Sequence, residues 1–152
     1  MKFKLSDMSA VLKFQKLPID RLNFIKREVA SEAYRRLGER SPVLTGRYRA
    51  GFNVSINGID YTTPNPAPSE YIKYRKEYYK FDESKGQKAF EGVTLQVTDE
   101  IFISNSLPYA IAIENGHSRK APEGVFRTVI PEIKEDIKRF AGIAANKDGG
   151  LK

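Results

Sequence analysis

The apolar positions between residues 19 and 37 recur at spacings of three and four, which is typical of an amphipathic helix. Pro18 and Asp20 are start signals for this helix, and Gly38 is a stop signal. We therefore predict a helix over 19–37 that turns one face towards a core. That face consists of Leu22, Ile25, Val29, Ala33 and Leu37.

Two further segments alternate between apolar and polar residues and therefore predict half-buried strands. The first covers 52–56, and the Asn57-Gly58 pair after it is a strong hairpin signal, with a return strand at 59–61. The second covers 93–103, where two antiparallel strands are expected around Thr98-Asp99. The pattern thus predicts two local hairpins.

Three more helices follow from the pattern: a tyrosine-rich helix over 69–82, a short helix over 107–115 and a long C-terminal helix. Pro131 suits the last helix if Thr128 is its N-cap, because the first turn needs no donor there. A start near Gly124 would instead place a kink at Pro131. The apolar stripe of this helix consists of Phe126, Val129, Ile130, Ile133, Ile137, Phe140 and Ala141.

This order of elements predicts a single α+β domain over residues 1–145. Its fold class is a small antiparallel sheet of two hairpins packed against N-terminal and C-terminal helices. The first 16 residues fit either a short strand or a short helix. Residues 64–92 form a Tyr/Lys-rich insertion, and 146–152 are expected to be a disordered tail.

The content of reactive side chains argues against an enzyme. The chain has no cysteine, which excludes disulfides, cysteine-metal sites and thiol nucleophiles. His117 is the only histidine, and it lies in a Gly-His-Ser-Arg-Lys loop with no nucleophile motif nearby. The carboxylates are scattered, whereas a metal site needs clustered ligands. We therefore expect no catalytic residues, no bound metal and no cofactor.

The apolar runs are too short for membrane insertion. Lysines and a Ser-Asp pair interrupt the N-terminal residues 1–16, so that they do not form a signal peptide. No stretch approaches the roughly 20 apolar residues of a membrane span. These features predict a soluble protein that is made in a cytoplasm and has no membrane partner.

Two parts of the chain carry a more specific pattern. The first is SPVLTGRYR at 41–49, which runs into a strand. The second is ISNSLPYA at 103–110, followed by ENGHS at 114–118 and APEG at 121–124. In this order the chain resembles the tail-completion and neck proteins of tailed bacteriophages, the family of the lambda minor tail protein Z. One departure is Leu44, which stands where that family usually has aspartate.

The resemblance implies a structural virion protein at the phage head–tail junction, made in the bacterial host cytoplasm. Its partners would be copies of itself in a closed ring of about six or twelve subunits. Connector proteins on the portal side and tail or other neck proteins would complete the contacts. Packaged DNA that crosses the junction could also touch the subunit.

Two basic loops, 41–51 and 116–124, contain Gly and Pro and are the expected assembly surfaces. Glu114 lies near the end of a predicted helix, where the dipole disfavours it, so a cationic partner such as Arg47 or Arg49 is expected. The alternative is an exposed Glu114. The candidate interface residues are Arg47, Tyr48, Arg49, Tyr109, Glu114, His117, Arg119 and Lys120.

A second function class is a basic nucleic-acid-binding module. The net charge is +7, and lysines alternate with tyrosines over 71–81. Such a segment could follow phosphates and stack on bases. The other interpretation is that its aromatic side chains belong to the core or to a subunit interface.

Overall fold

The computed structural model describes residues 2–4 and 18–146, with side chains over 18–142. The predictions for the rest of the N-terminal segment and for 147–152 lie outside these residues. The described part of the chain forms three strands and six helices. They are β1 (Lys2–Lys4), α1 (Ile19–Arg40), α2 (Arg47–Ala50), β2 (Phe52–Ile56), α3 (Ser69–Lys73), α4 (Lys85–Lys88), β3 (Ile101–Asn105), α5 (Ala110–Glu114) and α6 (Phe126–Asn146).

The three strands form one antiparallel sheet in the order β1-β3-β2, so β3 is central. Phe52 pairs with Asn105 and Ile56 with Ile101, while Phe3 pairs with Ile103 on the other edge. The α+β class is thereby confirmed, with the two long helices packed on a small antiparallel sheet.

The pairing inside the sheet differs from the expected pair of local hairpins. The strands of the two predicted hairpins, 52–56 and 101–105, pair with each other instead. Asn57 has a left-handed φ of 59°, and its backbone N donates to the Glu100 oxygen at 2.8 Å. Its side-chain oxygen also accepts from the Glu100 nitrogen at 2.9 Å. These bonds direct the Asn57-Gly58 turn to the start of β3 rather than to a return strand.

The predicted strand at 93–97 is replaced by a loop that a buried lysine holds. The Lys26 ammonium donates to the carbonyls of Gln96 at 3.0 Å, Val97 at 3.2 Å and Asp99 at 2.8 Å. Carbonyls that a strand would offer to a neighbour are therefore used by a side chain of α1. Burial lowers the pKa of Lys26, and the nearby Asp99 carboxylate partly opposes this.

The core lies between the sheet and the two long helices. The predicted apolar face of α1 is buried, from Leu22 to Leu37. The stripe on α6 is also buried, with Ile133 fully inaccessible, although Ile130 and Phe140 are only partly covered. Both amphipathic predictions are confirmed. No helix among the described residues combines the length and apolar character needed to span a bilayer.

The tyrosine-rich helix is much shorter than predicted. It ends at Lys73 instead of residue 82, because Arg75 adopts a left-handed φ of 52°. The Lys76 nitrogen then donates to the Tyr71 oxygen at 2.9 Å and closes the turn. The chain continues without helical structure to residue 82, so the expected stripe from Tyr71 to Phe81 does not form.

Candidate assembly groove

The two loops that were predicted from sequence lie side by side and line one surface groove. Residues 42–48 form one wall, and Tyr109, Ile113 and residues 118–120 form the other. The groove has a volume of about 550 Å³, within the roughly 300–1,000 Å³ of typical binding clefts. The structure thus joins segments that are more than 60 residues apart in the chain.

The shape of the first wall depends on Gly46. Its φ is +82°, and a Cβ at this position would lie 2.1 Å from the Tyr79 carbonyl oxygen. The Thr45 oxygen accepts hydrogen bonds from the nitrogens of Tyr78 and Tyr79, each at 2.9 Å. Only glycine tolerates both the conformation and the close approach. The Tyr/Lys-rich segment is therefore packed against the groove wall.

The side chain of Asn105 forms hydrogen bonds to both of the chain segments that lead into the groove walls. Its side-chain nitrogen donates to the Tyr48 oxygen at 2.9 Å, and its side-chain oxygen accepts from the Leu107 nitrogen at 3.2 Å. Asn105 is 2% exposed, so these bonds form away from water, where an unpaired polar group would be costly. One residue at the end of β3 thus fixes the position of both groove-forming segments.

Tyr48 lines the groove but is largely buried in the core, so its side chain offers little surface to a partner. It is 4% exposed, and its ring lies 5.3 Å from that of Phe52 and 6.4 Å from that of Tyr109. Burial raises the pKa of the Tyr48 phenol, and the Glu114 carboxylate adds to this. Tyr109 is half-buried in the groove, and burial raises the pKa of its phenol, an effect that Arg47 opposes.

Glu114 is likewise internal, and both expectations for it were wrong. It is 1% exposed, and its carboxylate accepts from the backbone nitrogens of Val125 at 2.9 Å, Phe126 at 3.0 Å and Arg127 at 2.8 Å. The positive end of the α6 dipole stabilises this charge in place of an arginine. Capping from α5 also explains why α6 begins at Phe126, two residues before Thr128, with Pro131 inside the helix.

The two arginines of the first loop are engaged within the molecule. Arg47 donates through Nε to the Pro64 oxygen at 2.9 Å. Arg49 pairs with Glu77 at 3.0 Å and lies 5.5 Å from the centre of the Phe81 ring. Arg47 lines the groove, whereas Arg49 does not. Charge reversal of this pair would therefore disturb local packing as well as any binding.

The charged side chains of the second loop are exposed to solvent. Ser118 and Ala121 form an antiparallel bridge, and the Ala121 nitrogen donates to the Ser118 oxygen at 3.1 Å. Arg119 and Lys120 lie at the tip of this turn and are exposed, as is His117. The Lys120 ammonium also donates to the Val43 oxygen at 3.5 Å, a long and exposed contact. All three side chains are therefore accessible to a partner.

The groove combines a cationic rim with apolar walls. Four cations line it, and no carboxylate does so in the part of the chain that the structure describes. Leu44 is 49% exposed and Tyr109 is 37% exposed, so apolar area is open to a partner. Sequence reasoning missed Arg75, which forms the left-handed turn after α3 and lines the groove although it is distant in sequence from both loops. The four cations are Arg47, Arg75, Arg119 and Lys120.

Within the described residues, no group of three or more His, Asp or Glu side chains is placed to hold a metal ion. Comparison of the chain with protein-family models, curated proteins and solved structures finds no match.

Proposed function

We propose that this chain is a structural, non-enzymatic virion protein, a tail-completion or neck subunit in a ring at the head–tail junction of a tailed phage. It would be made in the bacterial host cytoplasm. Its work would be binding: to copies of itself, to connector proteins on the portal side and to tail or other neck proteins. The proposal combines the sequence resemblance with the geometry of the groove.

The observation that carries the proposal is the meeting of the two family-like segments in one groove. Residues 42–48 line the groove together with Tyr109, Ile113 and residues 118–120. Asn105 links the two segments through its hydrogen bonds to the Tyr48 oxygen and from the Leu107 nitrogen. If the two segments resembled the family only by chance, there would be no reason for them to lie side by side in the structure. Their meeting supports one shared role in contacting a neighbour.

The chemistry of the groove favours a protein partner. Leu44 and Tyr109 offer apolar area, and four cations around them favour a segment that carries carboxylates. Interfaces are typically built from such apolar and aromatic anchors with a charged rim that steers pairing. An acidic segment with one or two apolar side chains is the expected occupant.

A second candidate function, nucleic-acid binding, is favoured by the surface of the Tyr/Lys-rich segment. Tyr74 is 62% exposed, and the ammonium groups of Lys73 and Lys76 lie 5.4 Å and 5.8 Å from its ring centre. Such a surface could stack a base and hold its phosphate. A titration of binding to single-stranded DNA against salt separates the two candidates: tight binding with a steep salt dependence supports this function.

Deletion of the gene from the phage tests the main proposal. The expected result is an accumulation of separate heads and tails, which a plasmid copy of the wild-type gene converts to joined particles. Supplying Tyr109→Asp instead should fail to restore joining, because a charge would occupy the apolar wall of the groove. Supplying Tyr61→Asp is the matched control, since Tyr61 is 71% exposed and lies outside the groove. Joined, infectious particles without the gene would contradict the proposal.

A further inference from the structure

The tip of the turn at 118–121 carries two exposed cations on a backbone that its own hydrogen bonds hold. Besides the bridge between Ser118 and Ala121, the Lys120 nitrogen donates to the Ser118 hydroxyl oxygen at 3.3 Å. Arg119 and Lys120 are both exposed. A short turn that is held by its own hydrogen bonds loses little conformational freedom on binding, which favours its use as a docking element. We call this feature the basic turn.

A separate groove of about 370 Å³ lies between α1, residues 83–87 and α6, and we call it the acidic groove. Three glutamates line it, Glu28, Glu32 and Glu83, and Phe140 contributes apolar area. Arg35 is its single cation, and it pairs with Glu32 at 2.6 Å. Glu28 and Glu83 are exposed. The acidic groove therefore has an excess of negative charge.

The basic turn and the acidic groove of one molecule cannot meet each other. Lys120 lies beside Arg40 at the C-terminal end of α1, where both line a shallow depression. Glu28 is 12 residues earlier in the same helix, which corresponds to about 18 Å along its axis. This separation exceeds the reach of a lysine side chain. The two features share no residue, so one copy can use both at once. The basic turn also lies at the edge of the assembly groove, so a contact through it leaves Arg47 and Arg75 to bind the acidic segment there.

We propose that the basic turn of one copy inserts into the acidic groove of the next copy, so that Arg119 and Lys120 face Glu28 and Glu83. This inference rests on the proposed function, because it names the contact through which a ring would form. The two features are complementary in charge: two exposed cations would meet two exposed carboxylates. Each copy carries both halves, and such a head-to-tail contact builds a ring when its rotation closes.

Charge-reversed variants of the full chain test this contact. The turn variant is Arg119→Glu with Lys120→Glu, and the groove variant is Glu28→Lys with Glu83→Lys. Sedimentation velocity should show that the wild-type protein self-associates and that added salt weakens this association. Each variant alone should associate at least about 100-fold more weakly than the wild type, because like charges then face each other. The matched control, Lys73→Glu with Lys134→Glu, changes two exposed lysines outside both features and should associate as the wild type does.

Mixing the two variants gives the decisive result. The groove variant keeps the basic turn and the turn variant keeps the acidic groove, so the original contact can form between them. The reversed turn and the reversed groove also carry opposite charges, so the two variants can alternate in one assembly. Association of the mixture with an affinity near that of the wild type is expected. A wild-type protein that stays monomeric up to its solubility limit, or a mixture that does not associate, would overturn the proposed contact. If reversal unfolds a variant, as judged by its melting temperature, the neutral changes Arg119→Gln with Lys120→Gln and Glu28→Gln with Glu83→Gln replace it.

The failure of this contact can be told apart from the failure of the proposed function. If the chain is required for joined particles but the turn and groove variants self-associate normally, the contact is wrong and the function stands. If the variants behave as expected but deletion of the gene leaves joined particles, the contact stands and the function is wrong.

Discussion

At the scale of single residues, three residues of the segments that resemble the phage family stabilise the fold. Asn105 bonds the Tyr48 carbonyl, Glu114 caps α6, and Gly46 admits the Tyr79 carbonyl. Sequence reasoning could place Glu114 near the end of a short helix, but could not show that a second helix begins beside it. Only the tertiary arrangement brings the start of α6 to that carboxylate, which is why an arginine partner was wrongly expected.

The cap at Glu114 gives the first prediction. Glu114→Ala should lower the free energy of unfolding by roughly 3 kcal/mol, because three backbone nitrogens at the start of α6 lose their acceptor. Glu123→Ala, at an exposed position nearby, should change it by less than about 0.5 kcal/mol. Chemical denaturation measures both values. Equal stability of the two variants would show that the cap contributes little.

Tyr34 gives a prediction about alkaline pH. It is 1% exposed and stacks on Phe81 with ring centres 5.1 Å apart. Burial, helped by the charge of Asp82, raises the pKa of the phenol from 10.0 to about 12. The folded state thus favours the neutral form. The resulting stability is fully present below pH 10.0 and is lost as the pH rises towards about 12.

Measurement of the unfolding free energy between these two pH values tests the Tyr34 assignment. The wild-type protein should lose about 2 kcal/mol through this group. Tyr34→Phe has no phenol to ionise, so its stability should fall less steeply over the same range. Burial also raises the pKa of Tyr48 and of Tyr109, so a shallower slope rather than a flat line is expected. Identical slopes for the two proteins would refute the assignment.

At the scale of elements, helical periodicity predicted α1 and α6 because their buried faces follow a regular spacing. The sheet was less predictable, since strand pairing depends on contacts far apart in sequence. The segment from Val93 to Val97 alternates like a strand. However, the Lys26 ammonium occupies the carbonyls of Gln96 and Val97, which are then not available for pairing in a sheet. The tyrosine-rich segment has helical spacing, but the left-handed Arg75 ends its helix at the first turn.

The core role of α6 gives a prediction at this scale. Ile133 is fully buried and belongs to the hydrophobic core that α6 shares with α1. Ile133→Asp should destabilise the fold by roughly 3–5 kcal/mol, because it removes apolar burial and places an unpaired charge in the core. Lys134→Asp, one residue along and exposed, is the matched control. Thermal denaturation that showed the same melting temperature for both variants would mean that α6 is not packed as described.

At the scale of the whole molecule, charge is separated between surfaces. Four cations line the assembly groove, two of them in the basic turn, while three glutamates line the acidic groove farther along α1. The sequence indicated a basic protein with two basic loops, and this much could be predicted. The meeting of those loops, the contribution of Arg75 and the acidic groove depend on packing between distant segments. A one-dimensional pattern does not contain that information.

The opposite charges of the basic turn and the acidic groove give a prediction for self-association in solution. Because the basic turn and the acidic groove carry opposite charges, raising the ionic strength should weaken self-association of the wild-type chain. The turn variant and the groove variant, each alone, should associate at least about 100-fold more weakly than the wild type at low ionic strength. Sedimentation across a salt series measures both outcomes. Self-association that strengthens with salt would instead indicate an apolar contact.

The most direct test of the central claim is a reconstruction of the head–tail junction by electron cryomicroscopy, at a resolution that shows side chains. We predict a closed ring of this chain at the junction, with Leu44 and Tyr109 of each copy covered by a neighbouring protein. In that ring Arg119 and Lys120 would enter the acidic groove of the next copy. A junction that is complete and contains no copy of this chain would contradict the account.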